Sequence, residues 1–199
     1  MCPNCTRQLQ KCQLNNSCVL WKQPIPVFAW GAYGGMLKRS IALMKYEKHP
    51  EVARLLGTWL GQEWLVSAPP QVQQLKLLVV PIPLHPQKLK QRGFNQAALI
   101  GKSFCYVTGF TLKQNGLKRV QNTQALYALS SNERKKNLAG AFMLGKDLHQ
   151  INQLNNTKVL IIDDIYTTGT TVTEAVMTLS QAGVEVIGVA VTATSLRYG

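Results

Sequence analysis

Residues 159–171 constrain this chain more than any other stretch. Val159-Leu160-Ile161-Ile162 is an uninterrupted apolar run that ends in Asp163-Asp164, and Thr167-Thr168-Gly169-Thr170-Thr171 follows after Ile165 and Tyr166. A short continuous apolar run fits a strand buried on both faces of a parallel sheet. Ligands of such sheets bind beyond the carboxyl ends of the strands, where the two carboxylates stand here. Gly169 lets the backbone approach a ligand closely, and the hydroxyls of Thr167, Thr168, Thr170 and Thr171 can donate hydrogen bonds. A helix opening at that turn adds free N–H groups and the positive end of its dipole. The combination suits a phosphate monoester. Adjacent acids accept hydrogen bonds from vicinal sugar hydroxyls and can hold Mg²⁺ directly or through water. The plainer alternative is an acidic turn with a threonine cap, although a purely structural strand end favours neither acid.

The rest of the chain repeats the same architecture. A second run, Val184 to Val191, lies beyond a helix face marked by Val172, Ala175, Val176, Leu179 and Ala182, with Gly183 as its stop. That strand-helix-strand unit predicts an α/β fold with a parallel sheet and flanking helices. Leu77-Leu78-Val79-Val80 reads as another buried strand, ended by Pro81-Ile82-Pro83. Apolar spacing predicts helices over 36–46 and 51–66, with Pro50 opening the second. Ser130 and Glu133 form a capping box for a short helix carrying Arg134, Lys135 and Lys136.

A length of 199 residues with 46% hydrophobic composition favours one catalytic-sized domain with at most a small appendage. No apolar stretch approaches the ~18 residues that cross a bilayer, so no membrane insertion and a cytoplasmic setting are expected. The net charge of +13 attracts phosphates without distinguishing a nucleotide from a nucleic acid. Cys2, Cys5, Cys12 and Cys18 crowd the N-terminus, and the Cys-Pro-Asn-Cys spacing suits two thiolates on one tetrahedral Zn²⁺. A metal-free arm of reduced cysteines is the alternative. Pro24 and Pro26 separate this arm, residues 1–24, from a main domain over 25–199. Cys105 stands apart in an apolar helical pattern and reads as a small buried residue.

Val159 to Thr171 resembles the phosphoribosyl pyrophosphate signature of type I phosphoribosyltransferases. Pro81-Ile82-Pro83-Leu84-His85, Arg92-Gly93-Phe94-Asn95-Gln96, Lys118-Arg119 and Asn137 to Phe142 further resemble the ComF family, linked to competence and DNA uptake. The resemblance spans essentially the whole chain, cysteine arm included. It implies a type I phosphoribosyltransferase fold with a small zinc-binding arm, and phosphoribosyl pyrophosphate with Mg²⁺ as ligands. Asp163, Asp164, Tyr166, Thr167, Thr168, Gly169, Thr170 and Thr171 would then hold the ribose phosphate.

It also implies that the loop after Val80 faces the pyrophosphate, with Arg92 as the first candidate to meet it, while Lys88 and Lys90 also suit a solvated basic loop. Phe94 should anchor that loop in the core, and His85 should be a satisfied loop histidine. Lys118 and Arg119 precede Gln121-Asn122-Thr123-Gln124, which could close over the pyrophosphate and exclude water. This stretch departs from the expected Arg-x-Thr-x-x-Gln pattern at Gln121 and Leu126, which favours ligand binding over catalysis. The enzyme reading places Asp163, Asp164, Arg92, Lys118 and Arg119 in the transfer of phosphoribosyl to an unspecified nitrogen nucleophile. The alternative is a non-catalytic accessory or regulatory protein that binds single-stranded DNA or DNA-uptake proteins. Self-association is compatible with either.

Overall fold

The computed structural model describes residues 3–121, 140–149 and 157–196. Five parallel strands form the central sheet: β1 (Val27–Ala32), β2 (Leu78–Pro81), β3 (Thr111–Leu112), β6 (Lys158–Tyr166) and β7 (Glu185–Thr194), in the spatial order β1-β7-β6-β2-β3. A separate antiparallel pair, β4 (Leu117–Arg119) and β5 (Phe142–Leu144), stands apart from it. The helices are α1 (Pro3–Gln10), α2 (Gly35–Tyr46), α3 (Pro50–Ser67), α4 (Pro70–Gln73), α5 (Pro86–Arg92), α6 (Gln96–Thr108), α7 (Lys146–His149) and α8 (Thr170–Gln181). None is long and apolar enough to cross a membrane. The α/β class and the parallel sheet agree with the sequence reading.

The two long apolar runs occupy the middle of the sheet, where both faces are covered. Val159 to Ile162 are all fully buried, and β7 pairs with β6 on one side and β1 on the other. One apolar cluster gathers α2, α3 and α6 against one face, with Trp64 edge-on to Phe28 at 4.9 Å and to Phe104 at 5.8 Å. Such aromatic pairs contribute about 0.5–1.5 kcal/mol beyond the area they bury. The other cluster joins α8 and the β4–β5 pair to the opposite face.

Strand β1 has no counterpart in the sequence reading. Val-Phe-Ala-Trp-Gly-Ala carries a glycine because the arm comes close there: a Cβ at Gly31 would lie 2.9 Å from the Cys12 carbonyl oxygen and 2.8 Å from Leu37. The arm packs onto this edge strand. Leu9 and Leu20 are buried, Gln13 bridges to Gly31, Leu20 bridges to Val27, and Glu63 of α3 accepts hydrogen bonds from Gln13 at 2.7 Å and Ser17 at 2.9 Å.

Helices α3 and α6 approach closely because glycine stands at their crossing. A side chain at Gly57 would collide with the Ile100 backbone, and one at Gly61 would lie 2.9 Å from Val107 Cβ. Gly57→Ala should therefore destabilise the fold by about 1–3 kcal/mol despite the higher helix propensity of alanine. A thermal melt should fall by about 2–4 °C per kcal/mol. An unchanged or higher melting temperature would show that the two helices separate without cost.

Candidate functional site

Strand β6 carries Asp163 and Asp164 to the carboxyl edge of the sheet and leaves them only 9% and 4% exposed. The Asp164 N–H donates to Asp163 Oδ1 at 2.8 Å, and Thr192 Oγ from β7 donates to the Asp164 carbonyl at 2.7 Å. These bonds fix the backbone and engage one oxygen of Asp163, leaving its other oxygen and the Asp164 carboxylate to meet other charges. Lys45, in the last turn of α2, places its ammonium 2.9 Å from Asp164 Oδ2, an oxygen that receives no well-aligned hydrogen bond.

Burial, then the neighbouring Asp164 charge, push the Asp163 pKa up to about 7 against the opposing pull of Lys45 and Arg119. Burial alone would lower the pKa of Lys45, but the Asp164 charge and contact and the more distant Asp163 outweigh it and leave it raised. Lys88 is shifted down by burial and then by Arg119, Arg92 and Lys45. Burial lowers Arg119 too, with Asp163 acting against it. Four basic side chains, drawn from α2, α5 and β4, thus feel one another around a single acid pair. Positive charge exceeds negative there, which suits a polyanionic ligand.

Beyond the acids, Tyr166 ends β6 and Gly169 caps α8 with φ +77°. A Cβ at Gly169 would run into the Tyr166 ring, so glycine is required both for the left-handed turn and for this close approach. Thr167, Thr168 and Thr170 are exposed, and the hydroxyls of Thr168 and Thr170 meet at 2.9 Å. No side chain caps the N-terminus of α8, which leaves its first N–H groups toward this turn. The arrangement can accept a phosphate at the turn and hydroxyls or a divalent cation at the acids. Two carboxylate groups at one strand end have the donor chemistry to contribute to a Mg²⁺ site that water and phosphate oxygens would complete, with Lys45 giving up its contact to Asp164 Oδ2.

The predicted basic residues divide. Arg92 ends α5, donates to Gln96 Oε1 at 2.6 Å and lies within electrostatic reach of Lys45 and Lys88. Arg119 turns inward, over the Phe142 ring at 5.4 Å and within reach of Asp163, whereas Lys118 is exposed. Asn95 caps α6 and also donates to the Ile82 carbonyl at 3.0 Å, tying this segment to the end of β2. Phe94 packs against the core, and His85 caps α5 by accepting from the Gln87 N–H. Cys105 is buried, with its pKa pushed up to about 12, as an inert core thiol should be.

Two expectations meet limits. Residues 122–139, which hold Leu126 and the Ser130–Glu133 capping box, lie outside the described residues, as does Cys2. Among the described residues, no group of three or more His, Cys, Asp or Glu could hold a metal ion. Cys18 Sγ points at the Ser67 carbonyl at 3.0 Å, and burial followed by Glu63 raises its pKa. Cys12 Sγ lies 3.8 Å from the Gln8 carbonyl. The described thiols therefore do not assemble a zinc site as they stand.

Lys45 is the residue that sequence reasoning missed. It lies more than a hundred positions from the acids in a helix whose apolar spacing drew attention to its buried face, so no local signal linked the two.

A family model described as Phosphoribosyl transferase domain matches residues 104–198. DNA utilization protein YhgH of Salmonella typhimurium is 29% identical over 157 residues, covering 79% of this chain and 66% of the relative. Competence protein F of Haemophilus influenzae is 34% identical over 121 residues, covering 60% and 52%. Competence protein ComFC of Streptococcus pneumoniae is 29% identical over 190 residues, covering 92% and 75%. The chain thus spans between half and three quarters of the length of these relatives. Among solved structures, a hypoxanthine phosphoribosyltransferase from Staphylococcus aureus aligns with TM-score 0.40 and 16% identity over 75% of this chain and 70% of its own. An adenine phosphoribosyltransferase from Trypanosoma brucei gives 0.43 and 13% over 96% and 79%.

The raised Asp163 pKa sets a pH dependence. Between the unfolded value near 4 and about 7, the native state holds a proton that the unfolded chain has released, so stability falls as pH rises through that window. Asp163→Asn removes this loss. Without ligand or divalent metal, the variant should gain on the wild type from about pH 4 to about pH 7 in thermal melts and level off above that. A difference that stays constant with pH would show that Asp163 titrates normally.

Proposed function

From a chain that belongs to the ComF family and carries a phosphoribosyltransferase domain, we propose a protein that binds phosphoribosyl pyrophosphate with Mg²⁺ and transfers its phosphoribosyl group to a nitrogen nucleophile. The observation that carries this reading is the acid pair at the end of β6, set between the threonine-glycine turn and the converging Lys45, Lys88, Arg92 and Arg119. In this reading the turn and the N-terminus of α8 take the 5-phosphate, and the acids take the ribose hydroxyls and Mg²⁺. Bound Mg²⁺ supplies charge neutralisation on the pyrophosphate.

The chain's own groups then act on the leaving group. As the bond from the sugar C1 to pyrophosphate oxygen lengthens, charge builds on that oxygen, and in this reading Arg92, Arg119 and Lys88 supply the fixed positive charge that stabilises it. The nucleophile's nitrogen forms the new bond to C1, pyrophosphate leaves with the electron pair, and the nitrogen loses its proton. No side chain needs to become covalently attached. Fixing the sugar by its phosphate and hydroxyls supplies the orientation such a displacement requires.

A second reading is favoured by the net charge of +13 and by relatives named for competence and DNA utilization: a role in handling single-stranded DNA or its protein partners. Binding to single-stranded DNA that weakens steeply with salt supports it. Zinc on the cysteine arm also stays a proposal, in which Cys2, Cys5, Cys12 and Cys18 supply four thiolates and Cys18 leaves the Ser67 carbonyl. About one zinc per chain in elemental analysis supports that arrangement. Substoichiometric metal with every thiol titratable in the native protein overturns it.

Calorimetry with phosphoribosyl pyrophosphate and Mg²⁺ tests the main reading. Binding should be saturable, should require the cation and should weaken about tenfold in Asp164→Asn, the loss of charge-assisted bonds worth roughly 1.5–3 kcal/mol. Arg92→Ala should weaken phosphoribosyl pyrophosphate far more than ribose 5-phosphate, which has no leaving group for the guanidinium to meet. Equal weakening of both would place Arg92 elsewhere, and absence of binding would sink the reading.

A further inference from the structure

A cavity borders the acid-pair region, with Arg119 in its lining. It has a volume of about 600 Å³ and sits between the corner joining α5 to α6, the outer face of α6, the turn before β4 and the start of α7. Neither acid nor any residue of the 167–171 turn lines it. Leu84, Phe94, Leu99, Leu117 and Leu144 give it an apolar floor.

Its rim has a different chemistry. Lys102 comes from α6, Lys118 and Arg119 from β4, and Lys146 from α7, and among the described residues no lining residue is acidic. Asp147, next to Lys146 in the chain, accepts a hydrogen bond from the Asn115 N–H at 2.7 Å. Cations from three elements around one concavity repel one another, so the arrangement adds nothing to the stability of the empty protein. Gln114 adds an amide that can donate and accept. The volume lies within the range of small-molecule sites, most of which combine an apolar lining with a few convergent polar groups. It far exceeds what a bare phosphate needs.

We propose that this cavity is a second ligand site for a phosphomonoester with a flat, partly polar body, represented by a nucleoside monophosphate. The base lies on the leucine and phenylalanine floor with its edge toward Gln114. The phosphate, which carries close to two negative charges at neutral pH, lies among Lys102, Lys118 and Lys146. The site goes beyond the proposed transfer reaction and uses two lysines, Lys102 and Lys146, that take no part in it.

The test is titration of the protein with deoxythymidine 5′-monophosphate in the presence of saturating ribose 5-phosphate, which keeps the threonine turn filled. Wild-type protein should bind the nucleotide saturably and more tightly than inorganic phosphate. Lys102→Glu should weaken it at least tenfold, and Lys102→Arg should retain most of the affinity. Affinity for ribose 5-phosphate and the melting temperature should not move in either variant. Lys146→Glu, on a different element, should reproduce the loss and stands in if Lys102→Glu misfolds. Failure of ribose 5-phosphate to bind would count against the phosphate-turn reading alone, since the lysine variants still report on this cavity. A 5′-phosphorylated oligothymidylate that binds more tightly than the monophosphate, and is weakened by the same substitutions, assigns the ligand as a strand end; weaker binding assigns a free nucleotide. No saturable nucleotide binding, equal affinity for inorganic phosphate, or wild-type affinity in both glutamate variants overturns the proposal.

Discussion

Two consecutive carboxylates at the buried end of β6 impose an electrostatic demand that the surrounding elements answer from several directions. Removing an ionised carboxylate from water costs several kcal/mol even after relaxation, and a second one alongside adds repulsion. Asp163 answers in part by holding its proton more tightly, and Asp164 by its ion pair with Lys45. Arg119 supplies further positive charge from β4, outside the main sheet. The acid pair therefore ties α2 and the β4–β5 pair to the central strands by charge, in addition to the apolar packing of Leu37, Met44 and Phe142. A strand end built for stability alone would carry neither acid, and the chain would need none of these counter-charges.

What was legible in the sequence followed from how local each signal is. The unit from β6 through α8 to β7 is written in consecutive residues: an apolar run, acids, a glycine turn, a helix face, a stop and another apolar run. The spacing around Pro50 marked α3, whose proline occupies its first turn as expected. Strand β1 went unread although Val27-Phe28-Ala29-Trp30 is an apolar run as long as Leu77 to Val80, because Pro24 and Pro26 just before it drew the reading to a linker. It exists because β7 offers it a parallel edge and the arm covers its other side. Lys45 was hidden for a different reason: an ion pair between residues distant in sequence leaves no mark on the periodicity of either segment.

The cysteine arm shows composition and packing pulling apart. Four cysteines near the N-terminus carry the spacing signal of a metal site, yet the described part of the arm is held by other means: Leu9 and Leu20 enter the core, backbone bridges reach β1, and Glu63 gathers Gln13, Ser17 and Ser67. Glu63 also raises the pKa of Cys18, which disfavours the thiolate that a metal would need. Metal binding would have to outweigh that local preference, so the arm's anchorage and its metal chemistry are separable properties.

The distribution of the net charge bears on what the protein spends its stability for. Lys45, Lys88, Arg92 and Arg119 lie within electrostatic reach of one another, and Lys102, Lys118 and Lys146 border the cavity. Arg119 belongs to both, since it lines the cavity while its charge acts on Asp163. Self-repulsion among the cations at the cavity works against the empty fold, and an anion bound there relieves it. An anion that drew the Arg119 charge toward the cavity would also weaken its support of the ionised Asp163. Arg119 is thus shared between the lining of the cavity and the electrostatic surroundings of the acid pair.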